Sequence, residues 1–166
     1  MFDIGVVSHD EPFVRLQHVG LIAGEDGRKM SKRWGNVVNP DSVVADFGAD
    51  ALRLYEMFMG PFDQEVAWST KGVVGVRRFL DRTFNCVEEA LKQNGAAEEK
   101  DLKKALNILH KTIKKVGEDI AEFKFNTAVA QMMIFVNEVG GLKLGAEAKS
   151  IWRNLIIVLS PFAPHL

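Results

Sequence analysis

Cysteine is almost absent. Cys86 stands alone, which rules out an internal disulfide and a thiolate zinc cluster. It sits beside Val87 in a helical stretch and reads as a small buried hydrophobe. Net charge is nearly absent too: a formal −1, with a pI of about 6.4, gives no support to non-specific nucleic-acid binding. Any RNA contact must therefore come from a local patch. Long apolar runs are missing, and the longest, Met132 to Val136 and Leu155 to Leu159, are far too short to span a bilayer. The opening Met-Phe-Asp-Ile-Gly lacks the basic start and apolar stretch of a signal peptide. No internal repeat or low-complexity tract appears. These absences lead us to expect a cytoplasmic chain with no membrane partner. What is present is ordinary globular material, 47 % apolar and 26 % charged over 166 residues. That is room for one domain, or one and part of a second, with a real core.

The most informative stretch is Gly27-Arg28-Lys29-Met30-Ser31-Lys32-Arg33-Trp34-Gly35-Asn36. It sets two lysines on a polar loop between an Asp-Gly turn and a Gly-Asn pair. Lysine is a compact, mobile point charge suited to phosphate oxygens, and Gly and Ser let backbone approach an anion closely. By chemistry alone this is either a triphosphate-handling loop or a solvated basic turn.

Along the chain, Val19 to Ala23 reads as a strand and Glu25-Asp26-Gly27 as a turn into the lysine loop. Asn39-Pro40-Asp41 starts a helix that stops at Gly48. Asp50 is expected to cap a second helix that ends at Gly60-Pro61. After Pro61 the pattern reads as purely helical. Val73, Val76, Leu80, Phe84, Val87 and Leu91 mark one helix of roughly 25 residues. Leu102, Leu106, Leu109, Ile113, Val116, Ile120 and Phe123 form a four-three seam on the next. A third starts at Asn126 or Thr127, and a fourth near Ala146 ends at Ser160-Pro161. Four antiparallel helices on short links make a bundle.

The loop resembles the Lys-Met-Ser-Lys-Ser signature of class I aminoacyl-tRNA synthetases. Lys29 to Lys32 and Gly35-Asn36 fit it, while Arg33 replaces the final Ser and Trp34 stands where a polar residue is usual. Tyr55-Glu56-Met57-Phe58-Met59-Gly60-Pro61, Trp68, Lys71-Gly72-Val73, Arg78-Phe79-Leu80-Asp81-Arg82 and Phe125-Asn126-Thr127-Ala128 extend the likeness. Together they resemble the leucyl-tRNA synthetases rather than the isoleucyl, valyl or methionyl branches. The second family signature, His-x-Gly-His, is not formed by the four histidines His9, His18, His110 and His165.

The resemblance implies a piece from the latter part of a larger leucine–tRNA ligase. Its fold class is then mainly α: an antiparallel helical bundle preceded by a short α/β remnant of a Rossmann-type catalytic core. Residues 1–61 would belong to the core, and 62–166 to a helical anticodon-binding-type domain. The implied partners are leucine, ATP with Mg2+, tRNA(Leu) and the remainder of the catalytic domain, with no protein-bound metal in this segment. Lys29 and Lys32 would be catalytic, and Met30, Ser31 and Arg33 would join them in contacting ATP. For tRNA, Arg77, Arg78 and Arg82 stand at the start of the bundle, and Lys111 and Lys114 on the polar side opposite the leucine seam. The rival from another class is a stand-alone, non-catalytic RNA-binding or interaction bundle.

Overall fold

The computed structural model describes residues 1–11 and 13–166. Their order is β1 (Ile22–Ala23), α1 (Pro40–Phe47), α2 (Ala49–Phe58), β2 (Val66–Ala67), then α3 (Thr70–Lys92), α4 (Glu99–Ala121), α5 (Phe125–Val139) and α6 (Ala148–Leu159). Asn39 starts α1 as read: its side chain accepts the Asp41 N–H, and Pro40 occupies the first turn. Gly48, at φ 90°, ends α1 and begins α2. Asp50 therefore does not cap α2. It lies within the first turn, 9 % exposed, and its carboxylate accepts the His165 backbone N–H at 2.9 Å and faces His165 Nδ1 at 2.8 Å. With Arg53 donating to the Pro161 carbonyl at 3.0 Å, this ties residues 161–165 to α2.

The purely helical reading after Pro61 fails for eight residues. Val66 and Ala67 return to pair in parallel with Ile22 and Ala23 before the helical pattern resumes at Thr70. The short apolar run Val66 to Trp68 carries too little periodicity to reveal a strand.

The bundle of α3 to α6 forms, but two of its buried stripes are rotated from those expected. On α4 the buried positions are Ala105, Leu109, Thr112, Val116 and Asp119, whereas Leu106, Ile113 and Ile120 are 37–39 % exposed. The reason is chemical. Thr112 receives a hydrogen bond from Gln131 of α5 at 3.0 Å, and Asp119 binds Lys115 and Thr127, so polar groups occupy the facing stripe at low cost. On α3, Phe79 and Thr83 turn inward while Phe84 and Leu91 stay exposed. The expected α5 stripe of Val129, Met132, Val136 and Val139 is buried. The α4–α5 link turns at Phe123, held at φ 59°, and Lys124 rather than Asn126 or Thr127 precedes the helix. Phe62, Phe123 and Phe125 stack with centroids 5.3–5.5 Å apart, which fastens the segment after α2 to that link.

Candidate functional site

The lysine loop hangs from β1. Gly24 N–H donates to the Arg28 carbonyl at 2.8 Å, closing a turn in which Gly27 takes φ 75°. Beyond it, Ser31 caps a single 3-10 turn over Lys32–Trp34, its hydroxyl accepting the Arg33 N–H at 3.3 Å. Gly35, at φ 65°, ends that turn in the left-handed region.

Two side chains that the sequence marks only as turn and signature residues close the loop. The Asp26 carboxylate accepts from Arg28 Nε and Nη2 at 2.9 and 2.7 Å and from Asn36 Nδ2 at 3.0 Å. Asn36 Oδ1 accepts the Ser31 N–H at 2.8 Å. The Asn36 bond foremost, and those from Arg28, hold the Asp26 carboxyl down at about 2. A carboxylate ten residues before an amide gives no local signal of this contact. Arg28 and Arg33 both lie over the Trp34 ring, at 4.9 and 5.2 Å from its centroid. Trp34 thus engages the loop's own cations rather than the core.

These contacts sort the cations. Arg28 is neutralised by Asp26 and Arg33 rests on Trp34. Among the described residues, neither Lys29 nor Lys32 makes an ion pair, and both are exposed. Met30 turns inward against the core and lines, with Ile22, Val38, Leu52, Glu56 and Trp68, a pocket of about 170 Å³. Burial pushes the Glu56 carboxyl up there, against the pull of Arg53. Two ammonium groups without carboxylate partners, on a loop closed by its own hydrogen bonds, can meet a polyanion without breaking existing ion pairs.

The cations proposed from sequence for RNA contact divide in the same way. Arg77 binds Asp81 at 2.9 Å and the Phe47 carbonyl at 3.0 Å, and Arg82 donates to Asn137 at 2.6 Å. Lys114 lies 3.9 Å from Glu118. Arg78 and Lys111 are exposed and form no ion pair among the described residues. No group of three or more His, Cys, Asp or Glu among the described residues is placed to hold a metal ion. Among the described residues no helix is long and apolar enough to cross a membrane.

Comparison with known proteins bears on the family of the chain. The family described as tRNA synthetases class I (I, L, M and V) matches residues 4–69. The anticodon-binding domain of tRNA ligase matches residues 103–166. Leucine–tRNA ligases from Leptospira biflexa and Chlorobaculum tepidum are 52 % and 47 % identical along the whole chain. The chain belongs to the leucyl-tRNA synthetase family. It spans about a fifth of the length of these curated relatives, 19 % and 20 %. A leucyl-tRNA synthetase of Agrobacterium radiobacter, solved in a ternary complex with tRNA and LeuAMS, superposes over 99 % of this chain and 23 % of its own, with TM-score 0.85 and 33 % identity. A Mycobacterium tuberculosis methionyl-tRNA synthetase covers 87 % of this chain and 35 % of its own at TM-score 0.64 and 16 % identity, a likeness of fold alone. Membership of the leucyl-tRNA synthetase family bears out the mainly helical class with its small parallel strand pair.

Proposed function

We propose that the chain is the loop-and-bundle part of a leucine–tRNA ligase, and that Lys29 and Lys32 stabilise the pyrophosphate released when ATP activates leucine. The observation that carries this reading is the sorting of charge on the loop: Asp26 neutralises Arg28, and among the described residues no carboxylate pairs with Lys29 or Lys32. The leucine carboxylate attacks the α-phosphorus of ATP, the bond to the β-phosphate bridging oxygen breaks, and leucyl-adenylate and pyrophosphate form. Charge grows on the departing pyrophosphate. Lysines that meet it only then lower the barrier without over-binding ATP. Met30 and Ser31 shape the loop, and Arg33 rests on Trp34 at its edge. Mg2+ enters with ATP as part of the substrate, whose phosphates supply most of its ligands. Leucine then passes to the 3′ end of tRNA(Leu), held in part by Arg78, Arg82, Lys111 and Lys114, while Arg77 is engaged by Asp81 and the Phe47 carbonyl. The reaction belongs in the cytoplasm, where the other substrates of translation lie.

Residues 1–61 on this reading are the end of the catalytic core, and 62–166 the tRNA-binding bundle, joined by the strand at Val66–Ala67. Parallel sheets are stable when covered on both faces and wider than two short strands. The β1–β2 pair is two residues long, and Val19 and Leu21 beside it are 61 % and 59 % exposed. Both features fit an edge that pairs with the remainder of a catalytic domain.

The test is leucine-dependent ATP–pyrophosphate exchange by the polypeptide purified from its source cells with an antibody to this segment. A species several times heavier than 18.5 kDa that exchanges pyrophosphate supports the ligase. An 18.5 kDa species without exchange, which still binds tRNA as salt rises, supports the stand-alone RNA-binding bundle instead.

A further inference from the structure

The base of the lysine loop and the start of the bundle share one joint. The Trp68 N–H donates to the Ala23 carbonyl at 2.9 Å, extending the β1–β2 pair. Two residues further along each strand, Glu25 Oε1 accepts the N–H of Thr70 at 2.8 Å. Thr70 is the first residue of α3, where a helix leaves its N–H groups without partners and favours a negative charge. Ser69 takes the Gly72 N–H at 3.4 Å, so Glu25 and Ser69 divide these donors between them. The bonds from Thr70, its backbone N–H foremost, hold the Glu25 carboxyl below its ordinary range, and Lys71 adds to the effect.

Tyr55 supports the same turn from α2. Its hydroxyl oxygen accepts the Ser69 N–H at 2.9 Å, and its ring meets Trp68 edge-on with centroids 5.0 Å apart. The first turn of α3 is therefore rigidly seated, and Glu25 ties it to the loop. Its neighbour Asp26 closes that loop through Arg28 and Asn36. A tilt of α3 must pull on Glu25, and through it on the segment that carries the lysines.

We infer that Glu25 is a positioning residue, which couples the seating of the helical bundle to the placement of Lys29 and Lys32. The inference rests on the reading that these lysines meet pyrophosphate. In the complete ligase, Glu25→Ala lowers kcat for leucine-dependent pyrophosphate exchange by about tenfold or more, the scale of loss for a displaced catalytic group. The KM for leucine stays unchanged. Glu25→Gln keeps an oxygen acceptor and restores most of the rate.

Thr70→Pro removes the donor instead. Proline suits the first helical position, and Ser69 is already extended at φ −141° and ψ 110°, as a residue before proline requires. This variant reproduces the Glu25→Ala loss and adds little to it in combination. On a Lys32→Ala background Glu25→Ala costs far less, because most of the charge it would misplace is gone. Tryptic cleavage after Lys29 and Lys32 in the native protein quickens in both Glu25→Ala and Thr70→Pro, a readout independent of activity. Losses that multiply in full with Lys32→Ala, or unchanged kcat and cleavage in both variants, overturn the inference. If the unmodified ligase shows no leucine-dependent exchange, the functional reading fails, and the cleavage rates alone decide whether Glu25 holds the loop.

Discussion

Asp26 and Asn36 meet across the base of the lysine loop, with Asn36 Nδ2 donating to Asp26 Oδ1 at 3.0 Å. The other end of the same amide accepts the Ser31 N–H at 2.8 Å, so one side chain braces the loop at both ends. The first prediction concerns pH. Asn36 and then Arg28 hold the Asp26 carboxyl at about 2, against an ordinary 3.8. A carboxyl depressed by folding contributes order that is present above its ordinary value and lost as pH falls through the lower one. The loop therefore stays closed at pH 5 and opens between about 3.8 and about 2, followed by the Ser31 amide shift. Asn36→Ala moves the midpoint up toward 3.8, and an unmoved midpoint would count against the brace.

Lys32→Ala in the complete ligase lowers the rate of leucine activation by about 10²–10³-fold, while leucine binding survives. A normal rate of pyrophosphate exchange in that variant sinks the assignment. Arg33→Ser restores the residue usual in the family and releases only a stacking contact with Trp34. It changes the rate less than about fivefold, since an exposed cation–π contact is worth roughly 0.5–1 kcal/mol. A much larger loss would show that Arg33 carries phosphate charge itself.

Two glycines of α3 respond in opposite directions to the same change. A Cβ at Gly72 would lie 2.5 Å from Tyr55 Cε2, and Tyr55 is buried and bonded to Ser69, so it cannot yield. Gly72→Ala destabilises by about 1–3 kcal/mol, more than the gain of about 1 kcal/mol in helix propensity. At Gly75 nothing lies within 4 Å, so Gly75→Ala stabilises by about 0.5–1 kcal/mol. Paired urea melts of the two variants decide it.

Asp119, 3 % exposed, accepts from Lys115 Nζ at 2.5 and 2.6 Å and from Thr127 Oγ1 at 2.7 Å. Asp119→Ala loses charge-assisted bonds worth about 2 kcal/mol, discounted because the Lys115 side chain is 42 % exposed. Lys115→Ala costs more, since it leaves a buried carboxylate with one hydroxyl. The order of the two unfolding midpoints is the test, and the reverse order would contradict it.

For tRNA, the structure separates arginines that the sequence could not. Arg78→Ala and Lys111→Ala weaken binding and each reduce the salt slope by about 1. Arg77→Ala, which loses bonds to Asp81 and the Phe47 carbonyl, acts chiefly on stability. Titration at several salt concentrations, beside a thermal melt, distinguishes the two effects. Equal slopes for Arg77→Ala and Arg78→Ala would remove the distinction.

The chain's local chemistry was legible because it is local. Asn39-Pro40-Asp41 and Gly48 mark helix ends through bonds and angles within a few residues, and the structure places them there. The α5 stripe from Val129 to Val139 needed only apolar spacing. The lysine motif was visible by composition and order, and so was the family. The sequence alone thus determined the family, the helical class and the residues of the loop.

Tertiary structure decided the remainder, wherever a polar group found its partner far along the chain. Thr112 and Asp119 point inward because Gln131 and Thr127 answer them, which turns α4 away from its apparent leucine seam. Asp50 meets His165 across 115 positions instead of capping its own helix. Glu25 reaches Thr70 across 45. Hydrogen bonds of this kind carry no periodicity. Only the folded chain shows which cations are held in ion pairs and which, among the described residues, are not, and what connects the loop to the bundle.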